Sequence, residues 1–365
     1  PPVDTLIARP RTRLDVYLLE LGGENDAFAA CEAASAAAGV ERIGGGLAVA
    51  RSVIPERVRG LAYTHRASEL VGRTDAAVDS AVALLEAAPV DREGTVAVRA
   101  RDVRGDTGVS TSDAERALGQ VLVDRGFAVD LDDPDHELRA LFAPSVDDED
   151  GPSVESDGAA GEAGVCAIGW LTAESVRDFG DRNPTDKPFF QPGSMDPLLA
   201  RAVANVAGAA SGRRILDPMC GTGGVLVEAG LVGADVVGVD AQSKMVGGAT
   251  ENLGHFLDGE EDHAITDPGD WHVCRGDATR LPLVDDAFDA VVFDAPYGRQ
   301  SKIETHALDD LVAGALTEAH RVADRAVVVA DRDWTGAARR AGWMVEDSFE
   351  RRVHRSLTRY VLVLD

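Results

Sequence analysis

A chain of 365 residues with 45% hydrophobic side chains carries enough apolar material for two domain cores. No stretch reaches the roughly 18 consecutive apolar residues of a membrane span, and the N-terminus lacks a basic-then-apolar signal pattern, so no membrane partner and a cytoplasmic address are expected. The net charge of −27 comes with lysine only at Lys187, Lys244 and Lys302, which leaves 33 of the 36 basic residues as arginine.

An acidic, lysine-poor surface suits a protein adapted to a high-salt cytoplasm, where excess carboxylates keep it hydrated. In molar salt the Debye length is only about 3 Å, so the acidity does not exclude RNA as a partner. It does require any RNA contact to rest on local arginines, stacking and shape. Cys31, Cys166, Cys220 and Cys274 are too scattered for a disulfide framework or a zinc site, so four reduced thiols and no metal are expected.

Residues 1–90 read as a small α+β unit. An apolar run over 14–21 stops at Gly22 and Gly23, and an alanine-rich helix is expected over 24–38. Gly44, Gly45 and Gly46 precede a short strand over 47–50. A further helix is expected over 75–88, capped by Thr74 or Asp75 and stopped by Pro89. The alternation over 95–105 predicts a strand that carries Arg99, Arg101 and Arg104 to a face or edge, where they are either solvated charges or RNA contacts. Thr111 to Glu115 has the form of a capping box before a helix to about Arg125. Strands over 127–130 and 136–142 follow, with a turn over 132–135 between them.

This succession, with the phrase Val129 to Asp135, resembles the THUMP domain, an RNA-binding module of tRNA-modifying enzymes. Residues 145–164 have only Val146 and Val154 as larger aliphatics and are expected to be a disordered acidic insertion within that domain. A strand over 165–171 resumes it. The expected division is therefore an N-terminal α+β region over 1–172, a connector over 173–197 and a second domain over 198–365.

The connector over 181–197 is punctuated by prolines and leads into a helix over 198–209. It serves equally as a rigid linker or as a place where Arg182 and Lys187 meet RNA backbone. Its phrases Pro188-Phe189-Phe190 and Pro192-Gly193-Ser194-Met195-Asp196-Pro197 resemble the entry segment of THUMP-containing RNA guanine-N2 methyltransferases.

From Arg213 strands and helices alternate. Strands are expected at 215–216, 236–239, 272–275, 288–293, 326–330, 344–349 and 359–364, and helices over 224–230, 244–256, 308–321 and 334–341. Such a βα repeat specifies a doubly wound α/β sheet, and the two last strands predict an antiparallel terminal hairpin. Four acidic residues fall at successive strand ends, where open α/β sheets place their ligands: Asp217, Asp240, Asp277 and Asp294. Each alone is as readily a loop or helix cap. Asp217-Pro218-Met219-Cys220-Gly221-Thr222-Gly223-Gly224 is not Gly-x-Gly-x-x-Gly, and no lysine follows as in a phosphate-binding loop.

Asp294-Ala295-Pro296-Tyr297 closes a strand buried on both faces. It reads either as an ordinary Asx turn or as a grip on a flat ring bearing an amine. In the second case Asp294 and the Ala295 carbonyl accept the amine hydrogens, Pro296 stiffens the loop and Tyr297 stacks on the ring.

Together these stretches resemble the Rossmann-like class I methyltransferases that act on amino groups. The resemblance implies S-adenosyl-L-methionine as cofactor, with Asp217, Pro218, Cys220, Gly221, Thr222 and Gly223 at its methionine end. It also implies Asp240 at the ribose, Asp277 and Ala278 at the adenine, and Asp294 at both cofactor and reaction. The usual loop has proline where Ala295 stands, which puts its rigidity in question. Over nearly the whole chain, including Gly298-Arg299 and residues 353–359, the likeness is to the archaeal tRNA guanosine-10 N2-methyltransferase family. That likeness implies tRNA as substrate, N2-methyl- and N2,N2-dimethylguanosine as products, RNA contact by Arg299, and, as in eukaryotic relatives, a small zinc-binding activator protein. The alternatives are another tRNA or ribosomal guanosine, an adenine-N6 DNA methyltransferase, and a non-catalytic RNA-binding protein.

Overall fold

The computed structural model describes residues 16–145, 164–259, 264–296, 308–354 and 357–365. Among these, one unit gathers residues 16–20, Ala37–Val53 and Arg66–Thr172, and a second gathers Leu21–Ala36, Ile54–His65 and Ala173–Asp365. The segments Leu21–Ala36 and Ile54–His65, expected in an N-terminal region, thus count with the second unit, as does the connector.

The first elements are β1 (Tyr17–Leu21), α1 (Asp26–Ala33), β2 (Ala37–Ala38), β3 (Glu41–Gly44), β4 (Leu47–Ala50), β5 (Ser52–Val53), α2 (Pro55–Val58), β6 (Thr64–Asp75) and α3 (Val78–Ala87). Then come β7 (Thr95–Asp102), α4 (Thr111–Asp124), β8 (Ala128–Val129), β9 (His136–Ala143) and β10 (Val165–Glu174). Eight of these strands form one mixed sheet in the order β3-β4-β1-β6-β10-β9-β7-β8. Ala81 and Leu85 of α3 and Ala114, Leu118 and Leu122 of α4 pack with Val96, Leu138, Phe142 and Ile168 into its core. Ser110 caps α4 by accepting from the Asp113 amide, as the Thr111–Glu115 pattern leads one to expect, one residue earlier.

Two expected helices are shorter, for one reason: sheet pairing claims their ends. The alanine run stops being helical at Ala33 because Ala37 and Ala38 pair with Val53 and Ser52. The helix expected from residue 75 begins at Val78, since Thr74 and Asp75 still belong to β6. β6 itself has no expected counterpart, for its polar residues hide an interior strand. Such polarity is tolerated where charges find partners. Arg139 of β9 forks onto buried Glu20 of β1 at 2.9 and 3.0 Å, and Arg66 of β6 lies 3.9 Å from the same carboxylate. Val165 pairs with Ala143, so β9 and β10 are antiparallel neighbours. The acidic insertion expected between them falls mostly outside the described residues.

The second unit contains α5 (Pro197–Val206), β11 (Arg214–Asp217), α6 (Gly224–Leu231), β12 (Asp235–Asp240), α7 (Ser243–Leu257), β13 (Trp271–Arg275) and β14 (Ala290–Asp294). It ends with α8 (Leu308–Val322), β15 (Ala326–Ala330), α9 (Thr335–Arg340), β16 (Val345–His354) and β17 (Leu357–Leu364). Asp196 caps α5 through the amides of Leu198 and Leu199, and Pro197 takes the first helical position, where its missing N–H costs nothing.

Its sheet order is β13-β12-β11-β14-β15-β17-β16. The first five strands are parallel, and β17 runs antiparallel between β15 and β16. This is the doubly wound sheet with a terminal hairpin that the βα alternation predicts. β11 has β12 on one side and β14 on the other, so the chain reverses its direction of travel there and opens a crevice at the carboxyl ends. Val291, Phe293, Val328 and Leu362 are fully buried and pack with Val312 and Leu316 of α8, which fixes β14 rigidly beneath that crevice.

Candidate active site

The crevice is floored by acidic strand ends. Asp217, 3% exposed, accepts from the Met219 amide at 3.0 Å. Burial pushes its carboxyl well above the usual carboxylate range, and the charges of Asp240 and Asp294 push the same way. Three of the four expected acids therefore act on one another across β12, β11 and β14.

Between Asp217 and α6 the chain turns tightly. Pro218 is buried, the Cys220 amide donates to the Val239 carbonyl at 3.0 Å, and the Gly223 amide donates back to the Cys220 carbonyl at 2.7 Å. Burial and the two nearby carboxylates raise the Cys220 thiol far above its ordinary pKa, so it stays protonated and unreactive. Gly221 and Gly223 have φ of +52° and +76°, which glycine alone adopts freely. They differ in surroundings. A β-carbon on Gly223 would meet Leu253 Cδ1 at 2.6 Å, whereas one on Gly221 would meet nothing within 4 Å. Gly221 thus presents bare backbone to open space. Thr222, 7% exposed, has Oγ1 3.2 Å from Ser194 Oγ, and its carbonyl accepts from Asn252 Nδ2.

Asp240 closes β12 and binds the turn: Oδ2 accepts from the Gly221 amide at 3.1 Å and Oδ1 from the Gln242 amide at 2.8 Å. Each carboxylate oxygen offers two acceptor sites, so this carboxylate can both brace the loop and meet hydroxyl donors. Asp277, two residues beyond β13, accepts the amide and hydroxyl of Thr279 on one oxygen at 2.9 and 2.8 Å. Here the ordinary turn role is realised. Ala278 is 5% exposed and belongs to the core.

β14 delivers Asp294, whose side chain is 21% exposed, with Arg359 Nη2 of β17 3.9 Å from Oδ2. Ala295 is buried, and its amide donates to the Val329 carbonyl at 2.7 Å. A proline there has no N–H to give, so alanine at this position holds the loop by a ladder bond. Pro296 is partly exposed. Tyr297 and Arg299 lie outside the described residues.

The candidate RNA contacts separate. Arg101 and Arg104 are exposed at the end of β7 and just beyond, and Arg99 is half-buried and bonded to the Leu131 carbonyl. Arg182 and Lys187 are not surface groups; they are 5% and 6% exposed. Arg182 is held by Glu228 at 2.7 Å and Asp178 at 2.8 Å, and Glu228 also pairs with fully buried Arg201 at 2.7 Å. The signal for this cluster was present in α6, where Glu228 is the one charge in a helix otherwise made of apolar residues and glycine. The proximity of Arg359 to Asp294, 65 positions apart, had no such local signal.

Bare glycine backbone under open space, a carboxylate braced at the next strand end and an acid on the strand across the switch point suit an adenosyl amino acid laid over the crevice. With the seven-stranded order they define a class I S-adenosyl-L-methionine-dependent methyltransferase. The family model described as RMKL-like, methyltransferase domain, matches residues 184–361. The chain is 34% identical to the tRNA (guanine(10)-N2)-dimethyltransferase of Methanothermobacter thermautotrophicus over 84% of its length and 83% of that protein. It is 29% identical to the enzyme of the same description from Pyrococcus abyssi, over 75% of this chain and 74% of that one. Among solved structures, TrmN from Thermus thermophilus is similar at 21% identity with a TM-score of 0.46, covering 96% of this chain and 99% of that one. The chain belongs to the tRNA (guanine(10)-N2)-dimethyltransferase family.

Proposed function

We propose that this protein transfers methyl groups from S-adenosyl-L-methionine to the exocyclic N2 of guanosine-10 in tRNA, giving N2-methyl- and then N2,N2-dimethylguanosine. The observation that carries the reading is the partly exposed Asp294 carboxylate, at the end of β14 and close enough to Asp217 for their charges to interact. The cofactor, when bound, supplies a methyl already activated by its sulfonium. Asp217, Pro218, Cys220, Gly221, Thr222 and Gly223 hold its methionine end, Asp240 its ribose, and Asp277 with Ala278 its adenine. Guanine N2 is a weak nucleophile because its lone pair is delocalised into the ring. Asp294 and the Ala295 carbonyl accept the amine hydrogens, which favours the geometry that frees that lone pair, and Asp294 takes the proton. Pro296 stiffens the loop, and Tyr297 stacks on a base that has left its helix. Alignment of amine and methyl does the rest.

The first unit is the THUMP-like, RNA-binding part of this reading, with Arg101 and Arg104 as surface contacts and Arg299 adding one near the loop. A small zinc-binding activator protein is the further partner the resemblance implies; full activity of the purified chain alone would speak against a need for it. A saline cytoplasm is the setting that the −27 net charge and three lysines support.

The test is transfer of labelled methyl to tRNA, followed by mapping of the modified nucleotide. Label at guanosine-10 is expected. Label in duplex DNA, or at another guanosine, moves the assignment to that substrate. Asp294→Ala is expected to abolish transfer, since it removes the acceptor of the reacting amine, and to leave cofactor affinity within about threefold; wild-type turnover refutes the role.

A further inference from the structure

β16 and β17 set two arginines directly opposite each other, Arg351 against Arg359 in the antiparallel register. Opposed residues share a face, and like charges there destabilise the pair. Their place is the crevice rim. Tyr360 pairs with Ala330, the last residue of β15, so Arg359 and Arg351 stand just past the carboxyl edge of that strand. Arg359 reaches Asp294 at 3.9 Å, whereas among the described residues Arg351 has no carboxylate within 4.0 Å.

Arg351 is nevertheless held. Its Nη1 donates to the Tyr63 hydroxyl, and its guanidinium carbon lies 4.9 Å from the centre of the Tyr63 ring. Tyr63 is 3% exposed and packs edge-on against Phe28, which packs in turn on Phe349, two residues from Arg351 on the same face of β16. Burial, ahead of the neighbouring charges, pushes the Tyr63 hydroxyl up to about 12, so it stays neutral and orients the guanidinium without cancelling its charge. The result is a partly exposed cation aimed in advance.

A planar guanidinium fork steadied on an aromatic ring matches a phosphate, which offers it two oxygens at once. From β14 across β15 and β17 to β16 there are three strand spacings, about 14 Å between backbones. Side chains reaching inward shorten that to the order of the span from guanine N2 to a phosphate of the same nucleotide. A base drawn out of its stack is held through its backbone, which calls for a cation at that distance.

We propose that Arg351, braced by Tyr63, binds a backbone phosphate flanking the guanosine whose amine lies at Asp294, and so fixes the extruded nucleotide on the rim of the crevice. This rests on the guanosine-N2 reading and deepens it: Asp294 receives the amine, and the terminal hairpin receives the backbone.

The test measures tRNA binding and methylation by the full chain over a series of salt concentrations. Arg351→Met, which keeps an unbranched stem over Tyr63, is expected to raise KM for tRNA about tenfold, the worth of a charge-assisted contact. It is expected to leave kcat at saturating tRNA within about threefold. The slope of log affinity against log salt is expected to shrink by about 0.7–0.9, the share of one phosphate. Arg351→Lys is expected to keep the wild-type slope and recover part of the affinity. An unchanged slope in Arg351→Met, or a fall in kcat with KM unmoved, overturns the proposal, for Arg351 would then serve only to shape Arg359 and Asp294. A tRNA with a neutral methylphosphonate in place of one or the other phosphate beside guanosine-10 needs no variant. Weaker binding by the wild-type protein at one of the two is expected, and no weakening at either overturns the proposal even if Arg351→Met does not fold. Methylation of guanosine-10 by the wild-type protein keeps the proposed function whatever Arg351 does; label at no guanosine overturns both.

Discussion

Arg359 Nη2 stands 3.9 Å from Oδ2 of Asp294, the arginine side chain 7% exposed on β17 and the carboxylate at the end of β14. Burial strengthens this pairing, because charges drawn out of water attract through a lower effective dielectric. Arg359 thereby restrains the direction of the carboxylate, which makes it a positioning residue for the proposed acceptor. Arg359→Met is expected to lower kcat for tRNA methylation by about ten- to a hundredfold, with S-adenosylhomocysteine affinity changed less than about twofold. Arg359→Lys, which restores charge without the planar fork, is expected to recover part of kcat. Steady-state kinetics with parallel calorimetry separates this from a structural loss, which would move both quantities.

Ala295 offers a second test, because the family's usual loop has proline in its place. The Ala295 amide donates to the Val329 carbonyl at 2.7 Å, and both groups are buried. Ala295→Pro removes that bond and leaves the carbonyl unmatched, at a cost of about 1–3 kcal/mol. The substitution toward the more common residue is therefore expected to lower the urea midpoint. An unchanged midpoint would mean that the strand end relaxes and that the ladder bond contributes nothing.

The raised carboxyl of Asp217 makes cofactor binding pH-dependent. Its folded pKa lies above the unfolded value through burial first and the Asp240 and Asp294 charges second. Folding is therefore favoured by this group below the ordinary carboxylate range, and that favour is lost as pH rises through the folded pKa. The cationic cofactor prefers the ionised form, so binding expels the proton and affinity climbs with pH until Asp217 is ionised without help. Calorimetry in buffers of different ionisation heat is expected to show proton release on binding, absent in Asp217→Asn. That variant is also expected to be the more stable cofactor-free protein above the pH at which Asp217 ionises, since it carries no buried carboxylate penalty.

What the sequence revealed of this molecule followed from how local each signal was. β12, β14 and β15 are runs rich in Val and Ala, so the strands, and the acidic ends of β12 and β14, could be read directly. β6 could not, because Arg66, Ser68 and Glu69 interrupt the alternation, and Arg66 and Glu69 meet their partners, Glu20 and Arg92, far away in the chain. The membership of residues 21–36 was equally hidden. Glu32 of α1 accepts the amides of Ala62 and Tyr63 at 2.6 Å and Asn205 Nδ2 of α5 at 2.7 Å, contacts 30 to 173 positions away. At the site, Asp217, Asp240 and Asp294 were legible as strand ends, while Asp277 falls two residues beyond β13. The burial of Lys187 was not, because a lysine in a polar connector is normally solvated.

The last prediction concerns the ion cluster beneath α6. Glu228, fully buried, serves Arg182 and Arg201, and Lys187 adds a third cation nearby. Replacing a whole buried cluster with apolar residues can be neutral, but removing its shared carboxylate strands the Arg201 guanidinium in the interior and leaves Arg182 with Asp178 alone. Glu228→Ala is expected to cost about 3–5 kcal/mol in denaturant unfolding. Arg116→Ala, which breaks the solvent-exposed pair with Asp113 on α4, is expected to leave the midpoint where it is. Added salt distinguishes the two further: screening acts on exposed charges and hardly on buried ones, so the Glu228→Ala deficit is expected to persist in molar potassium chloride. A deficit that disappears in high salt would show that water reaches the cluster and that its charges are solvated after all.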